Sequence, residues 1–305
     1  MAENLYDLRS CGEISRPSLK KQLPWQVKIA AKIVLSRLST GYRLWQRIGL
    51  FKHGQMEDPL YALSCYETHY KRVKFSRKGD GFVCLELGPG DSLFSALITK
   101  AFGGSASYLV DVGPFAVTDV ERYRRMAKLL RQKGLPVHDT YAFRGINDYL
   151  QEYHAQYMTE GVCSLNDIPN ASVDFIWSNA VLEHIRRRDF SLMLRELRRI
   201  IRSDGVCSHR VDLRDHLSGA LNNLRFSTRT WESEFFSSSG FYTNRIRFSE
   251  MLGLFRDSGF SVEIVDVDRW NALPTPHAAL ASEFSQLSDE ELCVSIFDVI
   301  LRPIH

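Results

Sequence analysis

From about residue 80 to the carboxyl end, short β-prone runs alternate with helical patterns, and this alternation leaves few folds open. Parallel neighbours need a crossover between them, normally a helix, so the pattern predicts an α/β fold with a doubly wound, seven-stranded, mainly parallel sheet. Strands are expected at 82–87, 107–112, 156–159, 173–177, 205–211, 261–267 and 292–301. Helices are expected near 93–102, 117–132, 189–202 and 244–258, the last stopped by Gly259. No long helical pattern separates the last two strands, which predicts an antiparallel hairpin at one edge.

The first 75 residues follow another rule. Between Glu13 and Glu57 stand nine Lys or Arg and no acid, interleaved with Trp25, Trp45 and aliphatic residues at helical spacing. One or two helices broken near Gly41 are expected, with Trp25, Ile29, Ile33, Leu38, Trp45 and Ile48 on one face. Two readings stay open: a basic helical cap (1–75) over a sheet domain (76–305), and a surface (16–52) that meets anionic head groups. The net charge of +3 in 305 residues is too small to indicate nucleic acid. The amino end lacks a secretory pattern and no apolar run reaches the roughly 20 residues of a membrane span, so a cytoplasmic protein is expected, peripheral to the inner membrane face at most. Six cysteines without a C-x-x-C pair suit reducing surroundings and suggest no metal site. Cys84, Cys207 and Cys293 fall within expected strands. Oligomeric state stays open.

The stretch Val83–Leu97, "VCLELGPGDSLFSAL", carries the first chemical signal. A strand runs into Glu86, Gly88 and Gly90 and then into a helix, as in nucleotide-binding turns. The third glycine of a dinucleotide fingerprint would fall at Leu93, a large side chain. Asp111, 25 residues after Glu86, ends the second strand where an acid can accept both hydroxyls of a ribose.

Four landmarks in order then resemble the class I S-adenosylmethionine-dependent methyltransferases. They are Glu86-Leu87-Gly88-Pro89-Gly90, Asp111, Val173-Asp174-Phe175 followed by Val181-Leu182-Glu183-His184, and a turn at Ser203-Asp204-Gly205. The similarity covers about residues 80–212. It implies S-adenosylmethionine as cofactor, held by Glu86, Gly88, Gly90, Asp111, Val112, Ser164, Leu165, Asn179 and Glu183. Glu86 is then the partner of the cofactor's amino end. Relatives carry an acid for the adenine amino group where Val162 stands here, which leaves that contact to backbone, Cys163, Ser164 or Leu165.

Beyond the fifth strand, His209, Asp212, Asp215 and His216 crowd into eight residues. A hydroxyl acceptor loses its proton as the methyl is transferred, and a His polarised by an Asp is a suitable base. His216 is the first candidate and His209 the second. Asp212, Asp215 and His216 also offer ligand atoms for a divalent cation, although so short a spacing without a distal partner speaks against a metal. An insertion at about 213–243 and the residues after it offer Trp231, Tyr242, Arg245 and Arg247, with His184, as acceptor contacts. The aromatic residues suit a ring and the arginines a carboxylate or phosphate. A looser resemblance to bacterial methyltransferases of surface-polysaccharide assembly points to O-methylation of a glycan or other small acceptor. Methylation of a small natural product, or a cofactor-binding partner subunit without turnover, are the alternatives.

Overall fold

The computed structural model describes residues 25–27, 29, 55–137 and 144–304. Seven strands form one sheet: β1 (Phe82–Leu87), β2 (Gly104–Val110), β3 (Ala155–Met158), β4 (Val173–Asn179), β5 (Ile201–Asp212), β6 (Phe260–Arg269) and β7 (Val294–Pro303). Their order is β3-β2-β1-β4-β5-β7-β6. Strands β1 to β5 pair in parallel, while β7 runs antiparallel to both β5 and β6. The expected hairpin of the last two strands is present, with β7 inserted between β5 and the edge strand β6. Because the order reverses between β1 and β4, a crevice opens at the carboxyl ends of those strands.

Helices α1 (Pro59–Lys71), α2 (Phe94–Ala101), α3 (Val120–Gln132), α4 (Ile146–Glu152), α5 (Arg187–Ile200) and α6 (Phe248–Asp257) join the strands. Neither α1 nor α4 is among the helices expected from the sequence pattern. The start of α1 is set by Asp58, whose carboxylate accepts from Tyr61 N at 2.9 Å, and by Pro59 in the first turn. Its Ala62, Leu63, Tyr66 and Tyr70 join Phe82, Phe175 and Trp177 in one core, with residues of α2, α3 and α4. A boundary at residue 75 therefore cuts too late, since α1 is part of the sheet domain. The second core packs α5 and α6 with Leu85, Ile176, Cys207 and Val299. Gly259 stops α6 at φ +82, a left-handed position that favours glycine.

The chain divides into two units. The larger comprises 42–213, 243–274 and 287–305, and the smaller comprises 1–41, 214–242 and 275–286. The smaller is built from short helical turns at Asn222–Arg225, Thr228–Trp231, Glu234–Ser237 and His277–Ala279. Its core is Ile29, Leu217, Trp231, Phe241 and Tyr242, with Trp25, Phe226 and Phe236 against it. Trp25 and Ile29, expected to face the sheet, thus pack on the aromatic residues of the insertion. Ile33, Leu38, Trp45 and Ile48 lie outside the described residues. Among the described residues no helix is long and apolar enough to cross a membrane.

Two further expectations are corrected. The turn at Ser203-Asp204-Gly205 is part of β5, which follows α5 directly and changes register against β4 between Val173 and Phe175. Cys293 caps the one-turn helix Asp289–Leu292 just ahead of β7 and is not in a strand.

Candidate active site

At the end of β1 the chain turns through Gly88, with φ +67. A Cβ there would meet Val181 Cγ2 at 2.5 Å, so this glycine lets the turn pack on the loop after β4. Gly88 N donates to Val110 O at 2.8 Å, and Gly90 N donates to Asp111 Oδ2 at 3.0 Å. The other Asp111 oxygen accepts from Val112 N at 2.7 Å. These two bonds orient the carboxylate against the glycine turn at the end of β2. The spacing from Glu86 to Asp111 therefore brings the glycine turn and the acid of β2 into direct contact. Leu93, at the position of a third glycine, is buried and precedes α2. The helix starts too late for a dinucleotide fingerprint.

Glu86 is 2% exposed, and its Oε2 has no hydrogen-bond partner. Burial pushes its carboxyl up to about 8, Asp111 adds to the rise, and the Ser95 hydroxyl opposes it. A buried acid with an open oxygen at the end of a strand is suited to a cationic group. Val112 is 76% exposed beside Gly161, which opens the 3-10 turn Gly161–Asp167. Within that turn Ser164 Oγ accepts from Glu160 N at 3.0 Å, and Leu165 O accepts from Arg199 Nη2 at 2.7 Å. Arg199 also donates to Ile168 O and to Asn170, so α5 fixes the loop.

Asn179 ends β4, and Ala180 follows at φ +55, uncommon for a residue with a Cβ. Glu183 is buried and His184 exposed. Asn244, which the sequence analysis missed, holds this loop in place. Its amide donates to Leu182 O at 2.8 Å and Ile185 O at 3.0 Å, and its N donates to Glu183 O at 2.7 Å. No motif announces that role, because the partners lie about 60 residues away in the chain. Asp174, which completes the fourth-strand motif, is at the other end of the sheet. It accepts from Val83 N at 2.8 Å and pairs with Arg77 and Arg202, so it is a tie between strands.

The residues beyond β4 separate into different roles. His209 is fully buried in β5, hydrogen-bonded through Nδ1 to Ser178 at 2.8 Å. Burial lowers it to about 3, and Arg72 adds to the effect. It is a neutral core imidazole, sealed from any acceptor, and its candidacy as base fails on that ground. Asp212 ends β5 in the larger unit, whereas Asp215 and His216 belong to the smaller. Asp215 accepts from the N–H groups of Leu217, Ser218, Gly219 and Asn222 and from the Asn222 side chain. Burial opposes its charge, yet these donors hold its carboxyl below the usual range. It organises a loop and is not available as a metal ligand. His216 stays half-buried in the smaller unit.

Trp231 is fully buried among Phe226, Phe236 and Phe241, at ring separations of 5.5 to 5.7 Å, so it is core and not a platform for an acceptor. Tyr242 is buried and donates to Glu232 at 2.8 Å. Arg245 is buried at φ +58. Arg247 donates to the carbonyls of Leu213 (3.0 Å), Leu292 (3.1 Å) and Val294 (2.8 Å), with a longer bond to Glu291 at 3.4 Å. Burial lowers it to about 10. A guanidinium so committed does not clamp a carboxylate.

Residues 85–208 match the family described as "Methyltransferase domain". No curated protein matches the chain. Among solved structures, the chain is similar to 1,6-didemethyltoxoflavin-N1-methyltransferase of Burkholderia thailandensis, at 14% identity over 96% of this chain and 94% of that one, with a TM-score of 0.44. It is also similar to the YcgJ protein of Bacillus subtilis, at 14% identity over 80% and 99%, TM-score 0.44. The methyltransferase complexed with the Trm112 activator of Haloferax volcanii is 16% identical over 79% and 89%, TM-score 0.42. S-adenosylmethionine fits the residues present, since the open oxygen of buried Glu86 suits its cationic end and oriented Asp111 a ribose. The match over residues 85–208 falls on the glycine turn, Asp111 and the loop after β4, and it identifies that stretch as a methyltransferase domain with S-adenosylmethionine as its cofactor.

Proposed function

We propose that this enzyme methylates a hydroxyl of a small acceptor, with a glycan as the favoured class. The observation that carries this choice is Arg247. Its Nη1 and Nη2 groups donate to backbone carbonyls, which removes one of the two arginines that a carboxylate acceptor would have used. Bound S-adenosylmethionine supplies an electrophilic methyl group. Glu86 pairs with the cofactor's amino end, Asp111 accepts from its ribose hydroxyls, and the Val112, Ser164 and Leu165 region forms the purine wall. Asn179 and Glu183 complete the rim after β4. With His209 sealed in the sheet, His216 remains the histidine that takes the acceptor's proton as the new bond to carbon forms. The basic run 16–52, mostly outside the described residues, is proposed to meet anionic head groups, and co-sedimentation with anionic vesicles at low and high salt tests it.

The test of acceptor chemistry is incubation of cell extracts with methyl-labelled S-adenosylmethionine and the enzyme, followed by mass spectrometry of labelled products. An ether product survives mild alkali, whereas a methyl ester is hydrolysed. Alkali-stable label on a hydroxylated molecule supports the reading, and alkali-labile label overturns it. Once an acceptor is in hand, His216→Ala should lower turnover by about 10² to 10⁴-fold with cofactor affinity unchanged.

A further inference from the structure

We propose that Glu86 carries a proton in the cofactor-free protein and releases it when the cofactor's ammonium group arrives, so that cofactor binding is coupled to proton release. This rests on the assignment of the cofactor's amino end to Glu86, and not on the identity of the acceptor.

The geometry leaves the carboxyl little choice. It is 2% exposed, so water does not solvate a negative charge there. Oε2 has no hydrogen-bond donor. Among the described residues, the groups that bear on it come from four elements. Asp111 follows β2, Tyr149 lies on α4, Ser95 on α2, and Cys84 on β1 itself. One is a second acid, two are weak acids that burial keeps neutral, and one is a hydroxyl; none is a cation. Asp111 is the better placed of the two carboxylates to keep its charge, because the N–H groups of Gly90 and Val112 donate to its two oxygens. A proton shared between the pair therefore resides on Glu86. Its rise to about 8 agrees with this arrangement.

Arrival of the ammonium group reverses the balance. A cation against Oε2 supplies the missing donor and the missing charge, and the O–H bond of the carboxylic acid breaks heterolytically. The proton leaves to buffer, and the carboxylate stays paired with the ammonium. The affinity that follows is pH-dependent, rising about tenfold per pH unit below the Glu86 range and levelling above it. A ligand without the amino-acid end gives no such release.

The experiment is calorimetric titration of the whole chain with S-adenosylhomocysteine at pH 7 in buffers of different ionisation enthalpy, which counts protons directly. Close to one proton released per cofactor is expected for the wild type. For 5′-methylthioadenosine, which lacks the amino-acid end, none is expected. Glu86→Gln should bind S-adenosylhomocysteine at least tenfold more weakly and release none. Infrared difference spectra of the wild type should show a protonated carboxyl band that vanishes when S-adenosylhomocysteine is added, a readout that does not need the variant to fold. Binding of S-adenosylhomocysteine without proton release would overturn the proposal while leaving the cofactor assignment intact. Equal proton release by Glu86→Gln and wild type, or release abolished only by Asp111→Asn, would move the proton off Glu86 and overturn it too. No binding at all would remove the cofactor assignment, and the proposal with it.

Discussion

The strand ends from β1 to β4 and the segment that follows β5 were equally rich in candidate residues, yet the fold uses them in opposite ways. At the strand ends, Glu86 keeps an open oxygen, Asp111 is aimed by the amides of the turn, and Val112 stays exposed. After β5, Asp215 is saturated by donors, Trp231 is core and Arg247 is wrapped by carbonyls. A site residue on a short turn is aimed by its own backbone. A charged or aromatic residue in a long insertion has first to satisfy the insertion itself, because that segment has little other core to bury.

Arg247 gives the largest expected effect and the quickest way to break the contrast. Arg247→Met leaves the carbonyls of Leu213, Leu292 and Val294 without their donor, and should cost about 3 to 5 kcal/mol in denaturant unfolding. Cofactor affinity of the folded fraction should not change. Full stability joined to lost acceptor binding would restore Arg247 to the acceptor site.

Gly88 comes next. Alanine there combines a left-handed backbone, costing about 1 to 2 kcal/mol, with a Cβ pressed on Val181. Gly88→Ala should therefore lose about 2 to 4 kcal/mol and most cofactor affinity. Adding Val181→Ala should recover the steric part and leave the backbone part. If the double variant is no better than the single one, the contact with the loop after β4 is not what requires glycine.

These two residues also show what was legible beforehand. Gly88, Glu86 and Asp111 act through neighbours within a strand–turn–helix unit or across one strand pair, so spacing alone located them. Arg247 satisfies carbonyls 34 to 47 residues away, a closure that no local pattern encodes. The same limit hid Asn244 and gave His209 a false role, since whether a strand histidine faces core or crevice depends on which helix covers it. Here His209 shares a face of β5 with Cys207 and Val211, the face packed by α5 and α6, and is sealed there, while its neighbour Ser208 turns to the opposite face and bonds His69 of α1. The start signal of α1, Asp58-Pro59, was present in the sequence. Apolar residues on several sides of the helix blurred its period, so the segment passed as part of the cap.

Asp215 is the intermediate case. Asp215→Asn replaces one accepting oxygen by a donor and should cost about 2 kcal/mol. The loss should show in hydrogen exchange as lower protection of the Leu217, Ser218, Gly219 and Asn222 amides. Intact protection with altered pH dependence of turnover would place Asp215 with His216 in the chemistry after all.

The smallest effect per step is also the one that reads both regions at once, because Glu86 and His209 bend the stability curve in opposite directions. Glu86 is raised from 4.5 to about 8, so the folded chain keeps a proton that the unfolded chain has given up. Its contribution is complete below about 4.5 and is lost as pH rises to about 8, at up to about 1.4 kcal/mol per pH unit. His209 is lowered from 6.5 to about 3, so the unfolded chain takes up a proton that the fold refuses. That contribution is complete above about 6.5 and is lost as pH falls toward 3, and His69, lowered by the same burial, adds to it. Between pH 7 and 8 His69 and His209 are silent, while Glu86 still lowers stability as pH rises. Denaturant unfolding without cofactor should therefore show stability falling over that interval in the wild type and falling less in Glu86→Gln. Below pH 6 the sign should reverse, and His209→Gln should flatten that limb in part, leaving the share of His69. Saturating S-adenosylhomocysteine should erase the Glu86 share of the alkaline slope while leaving the acid limb in place, because the ligand ionises Glu86 and touches neither histidine. If the ligand changed the acid limb instead, the two histidines would belong to the site, and the division between an open strand end and a sealed sheet would have to be redrawn.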